Sequence, residues 1–577
     1  MINIKENEKL NVLNHSCAHL LAQAVKHLYP HAMFWVGPVI EEGFYYDIDL
    51  GDDVIREEDL EKLEKEMKKI SKDGKRIVRR ELSKEEALEM FNNDPYKLDL
   101  INNMDVDTVI SAYTQGDFTD LCRGPHVETV KLLKHFKLLK VSGAYWKGDS
   151  SNKMLQRIYG VCFETAEELD NHLELLEEAK RRDHKKLGRE LDLFMFSEYG
   201  PGFPFWLPKG MILRNLLENF WYDEHTKEGY QFIKTPIMLN RDLWEVSGHW
   251  NNYKENMYTS TIDEKEFAIK PMNCPGGLLV YKNKLHSYKD LPERVGELGL
   301  VHRHEASGAL NGLFRVRNFT QDDAHIFMTE DQIESEIIRL INFIDRVYKL
   351  FNLPYDIELS TRPEDKYIGS IEIWDKAEAA LESACKKAGK TCVVNPGDGA
   401  FYGPKLDFHV KDSLGRVWQC GTIQLDFNLP ERFDCNYVAN DGSKKRPVML
   451  HRVIFGSVER FIGIITEHFA GAFPLWLSPV QVNIIPVNNE YHLEYCEKLK
   501  KILMDNDIRV ELDARDEKLG YRMRESQTKK IPYTLVIGDK EVEGNLVNYR
   551  KHGSTETNSL FYEEFINLLK EQVKMYK

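Results

Sequence analysis

The spacing of apolar residues changes several times along the chain, and each change predicts a different kind of element. Residues 14–29 carry apolar side chains at helical spacing, which predicts an amphipathic helix. Residues 34–39 and 44–49 flank a Glu–Gly turn and predict a hairpin, while residues 415–419 and 422–427 alternate as antiparallel strands do. Helices and antiparallel strands together predict an α+β protein.

Changes of periodicity, turn residues and charge runs divide the 577 residues into four zones, which we predict to be three domains and a linker helix. Residues 1–163 include a capping box at Ser83-x-x-Glu86. Residues 164–190 predict one charged linker helix whose acids come first and bases last, which suits the helix dipole. Residues 191–477 mix strands with long helices. In residues 478–577 strand and helix alternate, which predicts a small α/β domain with a parallel sheet.

Composition restricts the class of protein. With 42% hydrophobic and 30% charged residues, the chain has the composition of an ordinary globular protein. Its most apolar long stretch, residues 461–477, contains Glu467, His468 and Pro474, so we expect a buried helix there and no membrane partner. Nine dispersed cysteines without a Cys-x-x-Cys pair argue against a secreted disulfide scaffold, and a cytoplasmic protein is expected. Each cysteine remains a candidate core residue, metal ligand or reactive thiol.

The net charge of −15 does not indicate a nucleic-acid binder, although local patches matter more than the sum. Two basic windows, residues 180–186 and 522–530, are compatible with contact to a nucleic acid. A solvated helix face is the commoner explanation for an isolated charge run, and it stays open for both windows.

The most informative stretch of the sequence is residues 301–325. Its charged and aromatic residues include Arg303, Glu305, Arg315, Arg317 and Phe319. Arginines bind phosphates bidentately, an aromatic ring offers a face to a base, and a carboxylate accepts from an exocyclic amine. The stretch therefore predicts a nucleoside triphosphate site. The alternative is a polar surface hairpin, because apolar residues alternate with the charges.

Two histidine and cysteine spacings in the first zone predict another site. His15-x-x-x-His19 places two imidazoles one helical turn apart, and Cys122-x-x-x-His126, preceded by Asp120, offers a second pair. Such a set resembles a metal-binding or hydrolytic cluster. The alternative is that the two histidines on the helix are incidental.

Three segments resemble the signature motifs of class II aminoacyl-tRNA synthetases. Residues 228–236, ending in Pro236, resemble the first motif, which forms the dimer. Residues 303–319 resemble the second motif, and residues 456–461 resemble the third. Three further segments narrow the resemblance to the threonyl-tRNA synthetase family: residues 270–275, 319–325 and 449–452. The resemblance extends over essentially the whole chain.

The resemblance implies a fold and an ATP site. The fold is α+β and multidomain, with an antiparallel-sheet class II catalytic domain, an α+β editing domain and a C-terminal α/β anticodon-binding domain. Arg303 would hold the α-phosphate and the amino-acid carboxylate, and Arg315 the terminal phosphate. Adenine would lie between Phe319 and Arg460, with its amine on Glu305 and Mg²⁺ on the nucleotide. The implied ATP-binding residues are Arg303, Glu305, Arg315, Phe319, Gln424 and Arg460, of which Arg303 and Arg460 are catalytic.

The resemblance also implies one zinc ion per subunit, held by Cys274, His325 and His451 with a fourth position open. Zinc would bind the amine and the hydroxyl of threonine and so reject the nearly isosteric valine. Asp323 would accept from the threonine hydroxyl. The other implied threonine-binding residues are Gln321 and Tyr402. The alternative for these residues taken alone is that the cysteine is a turn residue and that the two histidines are buried core residues with their hydrogen bonds made.

Editing and transfer complete the implied chemistry. Serine differs from threonine by one methyl group, worth about 1–3 kcal/mol of discrimination, so a second, hydrolytic site is needed. The resemblance assigns hydrolysis of seryl-tRNA to the first zone, with or without a metal. The implied editing residues are His15, His19, Asp120, Cys122 and His126, with Lys97 as a weaker candidate. His249 would assist transfer to the terminal ribose of the tRNA through a proton relay.

The last zone resembles an anticodon-binding domain. Its implied base contacts are Arg524, Lys530, Glu541 and Arg550, for which exposed surface charge is the alternative. The implied partners are tRNA(Thr), ATP, L-threonine and a second copy of the chain, joined as a homodimer around Pro236. Two other functions stay open: a catalytically idle paralogue that binds RNA and regulates, and a stand-alone metallohydrolase.

The chain departs from the family pattern in three places. The small ubiquitin-like domain that opens many bacterial members has no counterpart, and the sequence is expected to begin almost directly in the editing domain. Gly277 stands where histidine is usual after Pro–Gly, and we expect a changed pocket entrance. Asp516 stands where asparagine is common in the anticodon domain, so the contact expected there is changed.

Overall fold

The computed structural model describes residues 2–105, 108–149, 151–365 and 367–576. The chain forms two compact units, residues 1–178 and 179–577, and the boundary between them falls within the predicted linker. The division into three domains and a linker helix stays a prediction. No helix within the described ranges is both long and apolar enough to cross a membrane.

The first unit combines helices with two antiparallel sheets. Its helices are Glu8–Leu28, Leu60–Asp73, Lys84–Met90 and Pro95–Asn102, and Ala166–Arg182 continues into the second unit. A five-stranded sheet contains Met33–Phe34, Val39–Ile40, Gly43–Asp49, His135–Tyr145 and Met154–Phe163. A three-stranded sheet contains Ile77–Leu82, Ile110–Gln115 and Phe118–Leu121. Short 3₁₀ turns lie at Glu57–Asp59, Val130–Leu132 and Trp146–Gly148.

The first helix has both the cap and the apolar face that a helix needs. The side chain of Asn7 accepts a hydrogen bond from Leu10 N at 3.0 Å, which satisfies one free backbone donor at the helix start. Its buried side chains include Leu13, Cys17, Leu20, Leu21 and Ala24. The helix predicted at residues 14–29 is confirmed. The predicted hairpin is also confirmed, since Val39 pairs with Phe44 across antiparallel strands.

The predicted linker helix is broken in two. Helix Ala166–Arg182 ends before Asp183, and a second helix, His184–Glu190, begins after it. The side chain of Asp183 accepts hydrogen bonds from the backbone N–H groups of Lys185 and Lys186 at 2.7 and 3.3 Å. The prediction of one continuous helix is wrong here, because an aspartate that caps the backbone begins a new helix.

The second unit contains most of the chain. Its helices are His184–Glu190, Pro208–Lys227, Arg241–Val246, His249–Tyr253, Cys274–Lys282, Ile333–Leu350, Ile371–Lys387, Asn428–Arg432, Val458–His468, Asn489–Met504, Leu519–Thr528, Asp539–Gly544 and Tyr562–Lys574. Its 3₁₀ turns are Lys254–Asn256, Tyr288–Asp290, Ser307–Ala309 and Glu330–Gln332. Its smaller sheets contain Phe194–Ser197 with Gly200–Trp206, Met238–Asn240 with Thr259–Ile262 and Lys265–Ile269, and His286–Ser287 with Tyr437–Val438 and Lys444–Lys445.

An eight-stranded sheet forms the centre of this unit. Its strands, in spatial order, are Gln231–Phe232, Glu293–His302, Asn318–Met328, Val448–Val453, Val417–Asp426, Lys405–Lys411, Tyr355–Ser360 and Cys392–Asn395. The outermost pair on each side is parallel and every pairing between them is antiparallel. The antiparallel strands predicted at residues 415–419 and 422–427 are part of one long strand, Val417–Asp426. A large apolar core packs on this sheet.

The C-terminal part of the unit has its own sheet and core. Its strands, in spatial order, are Val510–Leu512, Val482–Pro486, Tyr533–Ile537, Leu546–Lys551 and Thr557–Phe561. The first three are parallel, but the last two are antiparallel, so the prediction of a parallel sheet holds only in part. Connections this short favour antiparallel pairing, whereas a parallel pair needs a crossover of a dozen or more residues.

Candidate active site

A cavity of about 270 Å³ opens among the central strands of the eight-stranded sheet. The residues around it that the sequence predicts are Cys274, Arg303, Gln321, Asp323, Tyr402, Gln424 and His451. Six others also contribute: Met272, Lys405, Gln419, Thr422, Arg452 and Val453. Most of these side chains are polar or charged, so the cavity suits a polar ligand.

Strand pairing explains why residues distant in sequence meet at this cavity. His325 pairs directly with His451 on the next strand, and His451 pairs with Gln424 on the strand beyond. Paired residues point to the same face of a sheet, and so do residues two apart along one strand. Gln321 and Asp323 therefore share a face with His325.

The two histidines predicted to bind zinc lie edge to face, with ring centroids 5.1 Å apart. His451 Nε2 lies 2.8 Å from Asp426 Oδ2, and this carboxylate fixes the ring. His325 Nε2 is buried and has no hydrogen-bond partner in the described part of the chain. Burial lowers the pKa of His325 to about 4, so its ring is neutral at physiological pH.

Cys274 begins helix Cys274–Lys282 and is buried beside the cavity. Burial raises the pKa of its thiol well above the usual value, so the thiol is protonated as long as no metal is bound. Cys274 and His451 line the cavity, and His325 pairs with His451 on the neighbouring strand. Within the described ranges they are not among the groups of His, Cys, Asp and Glu whose ligand atoms all lie within 4.8 Å of one another.

Asp323 is oriented by an asparagine beneath it. Asn273 Nδ2 donates to Asp323 Oδ2 at 3.2 Å. An added Cβ at Gly299 would lie 2.2 Å from Asn273 Oδ1, so only glycine leaves room for this asparagine. Gln321 Oε1 is also buried, and it lacks a hydrogen-bond partner among the described residues. The face of the cavity near Asp323 therefore offers oriented and unsatisfied polar groups to a ligand.

The predicted ATP-binding residues form two contacting pairs. The guanidinium of Arg303 lies 5.1 Å from the centroid of the Phe319 ring. Arg315 Nε lies 3.2 Å from Glu305 Oε2, and the Arg315 side chain is 58% exposed. Arg460 lies near the start of helix Val458–His468, and its Nε is buried without a partner among the residues described. Arg303 lines the cavity and Phe319 lies beside this arginine, so this pair offers a cation and an aromatic face to a nucleotide.

His249 is fully buried, next to two of the residues around the cavity. Its Nε2 lies 3.1 Å from Met272 Sδ and 4.0 Å from Cys274 Sγ, while its Nδ1 lies 2.9 Å from Ser247 Oγ. Burial lowers the pKa of His249 to about 3, so its ring is neutral. The structure brings this residue beside the predicted zinc ligand.

The second predicted site is a tight cluster in the first unit. The ligand atoms of His15, His19, Cys122 and His126 all lie within 4.8 Å of one another. Cys122 Sγ lies 3.1 Å from His15 Nε2 and 3.2 Å from His126 Nε2. Burial raises the pKa of the Cys122 thiol to about 12 and lowers that of His126 to about 2. The cluster is therefore a neutral, internally hydrogen-bonded group.

A buried carboxylate borders this cluster. Asp120 Oδ2 lies 3.7 Å from His19 Nε2, and Lys97 Nζ lies 2.6 Å from Asp120 Oδ1. The hydroxyl of Tyr46 donates to the same carboxylate. Both Lys97 and Asp120 are almost fully buried, so each charge is stabilised chiefly by the other. The structure thus joins the two sequence pairs and both supporting candidates into one site.

Comparison with known proteins identifies the family. The model of the "tRNA synthetase class II core domain (G, H, P, S and T)" matches residues 258–469. The anticodon binding domain model matches residues 481–572, and the threonyl and alanyl tRNA synthetase second additional domain matches residues 110–159. A threonine–tRNA ligase of Acetivibrio thermocellus is 58% identical over 97% of this chain and 88% of its own length. The chain belongs to the threonine–tRNA ligase family.

Two further relatives agree with this assignment. A threonine–tRNA ligase of Fusobacterium nucleatum subsp. nucleatum is 59% identical over 98% of this chain and 91% of its own length. A solved structure of the RNA binding domain of threonyl-tRNA synthetase from Cryptosporidium parvum Iowa II is 41% identical, covering 68% of this chain and 98% of its own, with a TM-score of 0.66. Membership makes the chain a class II aminoacyl-tRNA synthetase, and the predicted α+β fold is confirmed.

The family models divide the N-terminal cluster between matched and unmatched sequence. Asp120, Cys122 and His126 lie within the second additional domain, which is associated with editing of mischarged tRNA. His15 and His19 lie outside the matched residues, on helix Glu8–Leu28. The helix therefore supplies half of the cluster from a part of the chain that this model does not cover.

The four residues predicted to contact the anticodon differ in their surroundings. Arg524 is exposed, while Lys530, Glu541 and Arg550 are partly buried. Glu541 Oε2 accepts a hydrogen bond from Gly538 N at 2.9 Å, which caps helix Asp539–Gly544. Arg550 Nε is buried and has no partner in the described ranges. Glu541 therefore has a structural role, whereas Arg550 keeps a free donor.

Sequence reasoning missed several residues that support the synthetase site. Asp322, fully buried, accepts hydrogen bonds from the backbone N–H groups of Ile454, Phe455 and Gly456 at 2.8 to 3.0 Å. Burial raises its pKa to about 6. Strand alternation could have indicated others, since Thr422 and Asp426 share a strand face with the predicted Gln424. No pattern in the sequence indicated Asp322, whose partners lie on another strand's loop.

Two departures from the family pattern have a definite place. Gly277 lies against the predicted zinc ligand His325, since an added Cβ would be 3.1 Å from His325 Nδ1. It is buried in helix Cys274–Lys282, so its effect falls on the ligand itself and not only on a pocket entrance. Asp516 is exposed and precedes helix Leu519–Thr528.

Proposed function

We propose that this chain joins L-threonine to tRNA(Thr) in two steps at the central cavity. The threonine carboxylate attacks the α-phosphorus of ATP and releases pyrophosphate, and the adenylate then transfers threonine to the tRNA and releases AMP. The observation that carries the proposal is the row of His325, His451 and Gln424 across three strands, with Asp323 and Arg303 at the same cavity. The family assignment gives the substrate class.

Arginine residues carry the first step in this proposal. Attack on phosphorus depends mainly on positioning and on stabilising negative charge, with Mg²⁺ sharing the charge of the phosphates. Arg303 lines the cavity and would bind both the carboxylate and the α-phosphate. Arg315, which is largely exposed, would take the terminal phosphate, and Arg460 would stack on adenine opposite Phe319.

The residues around the cavity fit a zinc ion. Catalytic zinc sites commonly use three protein ligands and leave a fourth position open, and Cys274, His325 and His451 would supply one thiolate and two imidazoles. His325 offers a buried Nε2 without a hydrogen-bond partner among the described residues, and Asp426 orients His451 as carboxylates behind zinc-binding imidazoles do. When bound, zinc would supply a Lewis acid that recognises the amine and hydroxyl of threonine.

Asp323 would read the side-chain hydroxyl of threonine. It is held by Asn273 and faces the cavity, where its carboxylate can accept one more hydrogen bond. A site built to hydrogen-bond a substrate hydroxyl rejects the analogue that lacks it by about 10⁴-fold or more. Valine is therefore excluded at this step, but serine keeps the hydroxyl and is excluded only weakly.

For the transfer step, we propose that His249 accepts a proton that is relayed through a hydroxyl of the terminal tRNA ribose. Burial lowers the pKa of His249 to about 3, so the ring is neutral at physiological pH and would pass a proton along a relay without retaining it. Ser247 holds Nδ1, which leaves Nε2 on the side of Met272 and Cys274. In this structure the ring is buried, so the residues around Met272 must move when the tRNA end binds.

A second activity is hydrolysis of seryl-tRNA at the N-terminal cluster. Water would attack the ester carbonyl, the ester bond would break, and the released tRNA hydroxyl would take up a proton. His19 has a buried Nδ1 without a partner in the described ranges, which makes it the free proton acceptor of the cluster. The rings of His15 and His126 already contact the Cys122 thiol, and the proposed hydrolysis uses these side chains without a metal.

The partners follow from the same reading. The tRNA(Thr) acceptor end would reach both sites in turn, and the C-terminal part would bind the anticodon. A homodimer would form at the strand Gln231–Phe232, which lies at the outer edge of the large sheet. Phe232, Ile237 and Met238 are 38%, 43% and 41% exposed there, next to Pro236. Apolar side chains on an open sheet edge favour pairing with another chain.

The deciding experiment is threonine-dependent exchange of pyrophosphate into ATP by the zinc-loaded protein. Exchange with threonine, and its absence with valine, is the expected result. A fold-matched control is His19→Ala, which changes only the N-terminal cluster and should exchange normally. A properly folded protein that binds RNA but shows no exchange would overturn the proposal in favour of a regulatory paralogue.

A further inference from the structure

A buried hydrogen-bonded pair outside the cavity connects two segments of the proposed ATP site. His184, at the start of helix His184–Glu190, is 1% exposed, and Glu467, near the end of helix Val458–His468, is 2% exposed. His184 Nδ1 lies 2.6 Å from Glu467 Oε1. The same oxygen accepts from the backbone N–H of His184 at 2.9 Å. Neither residue belongs to the chemistry described above.

This pair, with Asp183, has the composition of a metal site, but its ligand atoms are already engaged. His184 Nε2 accepts a hydrogen bond from Leu313 N at 2.9 Å, so Nδ1 carries the proton and donates to Glu467. Glu467 Oε2 forms an ion pair with Arg416. Asp183 caps the helix. A metal would have to break each of these contacts, so the group is an assembled hydrogen-bond network.

The network ends on the turn that carries Arg315. Residues 311–315 close on themselves, because Asn311 and Arg315 form an isolated bridge. Gly312 has φ +47°, and an added Cβ there would lie 2.2 Å from His184 Nε2. The Phe314 ring centroid lies 4.0 Å from that of His184. The imidazole is therefore packed against the turn as well as bonded to it.

The same turn also packs on the helix that carries Arg460. Glu467 lies two helical turns after Arg460, on the same face of helix Val458–His468. Between them, an added Cβ at Gly463 would lie 2.9 Å from the Phe314 ring and 3.3 Å from Leu313 Cβ. The turn thus rests on the helix at Gly463 and is bonded to it, through His184, at Glu467.

We propose that His184 is a positioning residue for ATP: with Glu467 it fixes the 311–315 turn on helix Val458–His468, and so sets Arg315 relative to Arg460. The two cations must bind opposite parts of one nucleotide, the terminal phosphate and the base. The turn is also held by the fully buried side chain of Leu313, by the Phe314 ring, whose centroid lies 4.3 Å from that of Trp418, and by Lys185 Nζ, which donates to Asn311 Oδ1 at 3.2 Å. The His184 bond adds a connection from the turn to Glu467, on the helix that carries Arg460. The inference rests on the proposed function of Arg315.

Two variants of His184 separate the contribution of the Nδ1 contact from that of the Nε2 contact. His184→Asn keeps a donor near the position of Nδ1 but has no atom at Nε2, so Leu313 N loses its acceptor. His184→Gln places an amide oxygen near Nε2 and can keep that acceptor. We expect His184→Asn to raise the KM for ATP in pyrophosphate exchange by about tenfold, as an unsatisfied buried donor does. The KM for threonine should stay unchanged, and His184→Gln should recover most of the loss.

Arg315→Ala and the double variant Arg315→Ala/His184→Asn complete the test. If His184 acts through Arg315, the double variant should have the same KM for ATP as Arg315→Ala alone. An Arg315→Ala variant with unchanged KM for ATP would contradict the proposed role of Arg315 itself. If Arg315→Ala raises this KM but His184→Asn does not, or if the two effects multiply, the positioning role is overturned.

Gly463→Ala gives an independent test should His184→Asn fail to fold. The added methyl group would lie too close to the Phe314 ring, on the side of the helix, and the His184–Glu467 bond would stay in place. We expect a rise of a few-fold in the KM for ATP with no change in the KM for threonine. Equal rises in both KM values, or a fall in kcat alone, would contradict the proposal.

Discussion

The chain holds two sets of cysteine and histidine residues, and the tighter set is the poorer candidate for a metal. In the first unit, the four ligand atoms of His15, His19, Cys122 and His126 lie within 4.8 Å of one another. The ligand atoms of Cys274, His325 and His451 form no group this tight, and Cys274 and His451 line a cavity of about 270 Å³. Closeness alone would favour the N-terminal cluster, whereas we propose zinc at the central cavity.

The difference lies in what each ligand atom already contacts. Cys122 Sγ has imidazole nitrogens at 3.1 and 3.2 Å, so three of the four N-terminal residues already contact one another, while His19 Nδ1 is buried without a hydrogen-bond partner among the described residues. His325 Nε2 is likewise buried without a hydrogen-bond partner in the described part of the chain, and Asp323 Oδ1 lies 3.7 Å from it. An unsatisfied buried nitrogen costs free energy of about 1–3 kcal/mol unless a ligand or ion supplies the missing contact. Each site has one such nitrogen, so the comparison depends on the space beside the ligands: Cys274 and His451 line a cavity, whereas the Cys122 thiol already contacts His15 and His126.

The largest expected effect comes from removing one thiol at each site in turn. Cys274→Ser should lower threonine-dependent pyrophosphate exchange by roughly a thousandfold, because a metal contributes several kcal/mol at its substrate. Cys122→Ser is the matched control and should exchange at the rate of the unsubstituted protein. Retained pyrophosphate exchange in Cys274→Ser would contradict the proposed difference between the two sites, because threonine activation would then not need the sulfur ligand.

The reverse experiment uses the editing reaction. His19→Ala should slow the hydrolysis of seryl-tRNA by about 10²-fold or more, as expected when a proton-accepting side chain is removed. Seryl-tRNA should then accumulate during aminoacylation with serine, while pyrophosphate exchange with threonine stays normal. The measurement is deacylation of purified seryl-tRNA. Unchanged deacylation would remove His19 from the proposed chemistry.

A third variant tests how each site is supported. Asp426→Asn removes the carboxylate that holds His451 and should weaken zinc binding by about 10- to 100-fold. Competition with a metal chelator measures this change. Asp120→Asn, which alters the carboxylate beside His19, is the control and should leave zinc affinity unchanged. An equal loss of zinc affinity in the two variants would contradict a specific role for Asp426 at the zinc site.

The smallest effect is expected at Gly277. A Cβ at this residue would lie 3.1 Å from His325 Nδ1, so Gly277→Ala should displace the ring by tenths of an ångström and weaken zinc binding a few-fold. Gly308→Ala is the control, since nothing lies within 4 Å of the position of its Cβ. A zinc affinity that is the same in both variants would show that the ring tolerates the extra carbon.

The sequence predicted the elements better than their partners. Residues 14–29 and the capping box at Ser83 depend on local spacing and local hydrogen bonds, and both are formed. The order of acids and bases along residues 164–190 predicts one helix. It does not show that Asp183 caps a second helix, which is where the structure has a break. The parallel C-terminal sheet was predicted from alternation alone, whereas strand direction depends on the length of each connection.

The site residues divide in the same way. Gln321, Asp323 and His325 could be predicted to share a face, because alternation along one strand is visible in the sequence. That His325 lies opposite His451 depends on the pairing of strands more than 100 residues apart, which only the resemblance could suggest. The supporting roles of Asp426, Asn273 and His184 depend on packing, and no local pattern indicated them.

The most direct test of the comparison is the zinc content of purified protein, measured per chain by mass spectrometry of the metal. The unsubstituted protein and Cys122→Ser should each hold one zinc ion, and Cys274→Ser should hold none, with all three folded by circular dichroism. Zinc that survives Cys274→Ser and disappears from Cys122→Ser would place the metal at the N-terminal cluster and contradict the account.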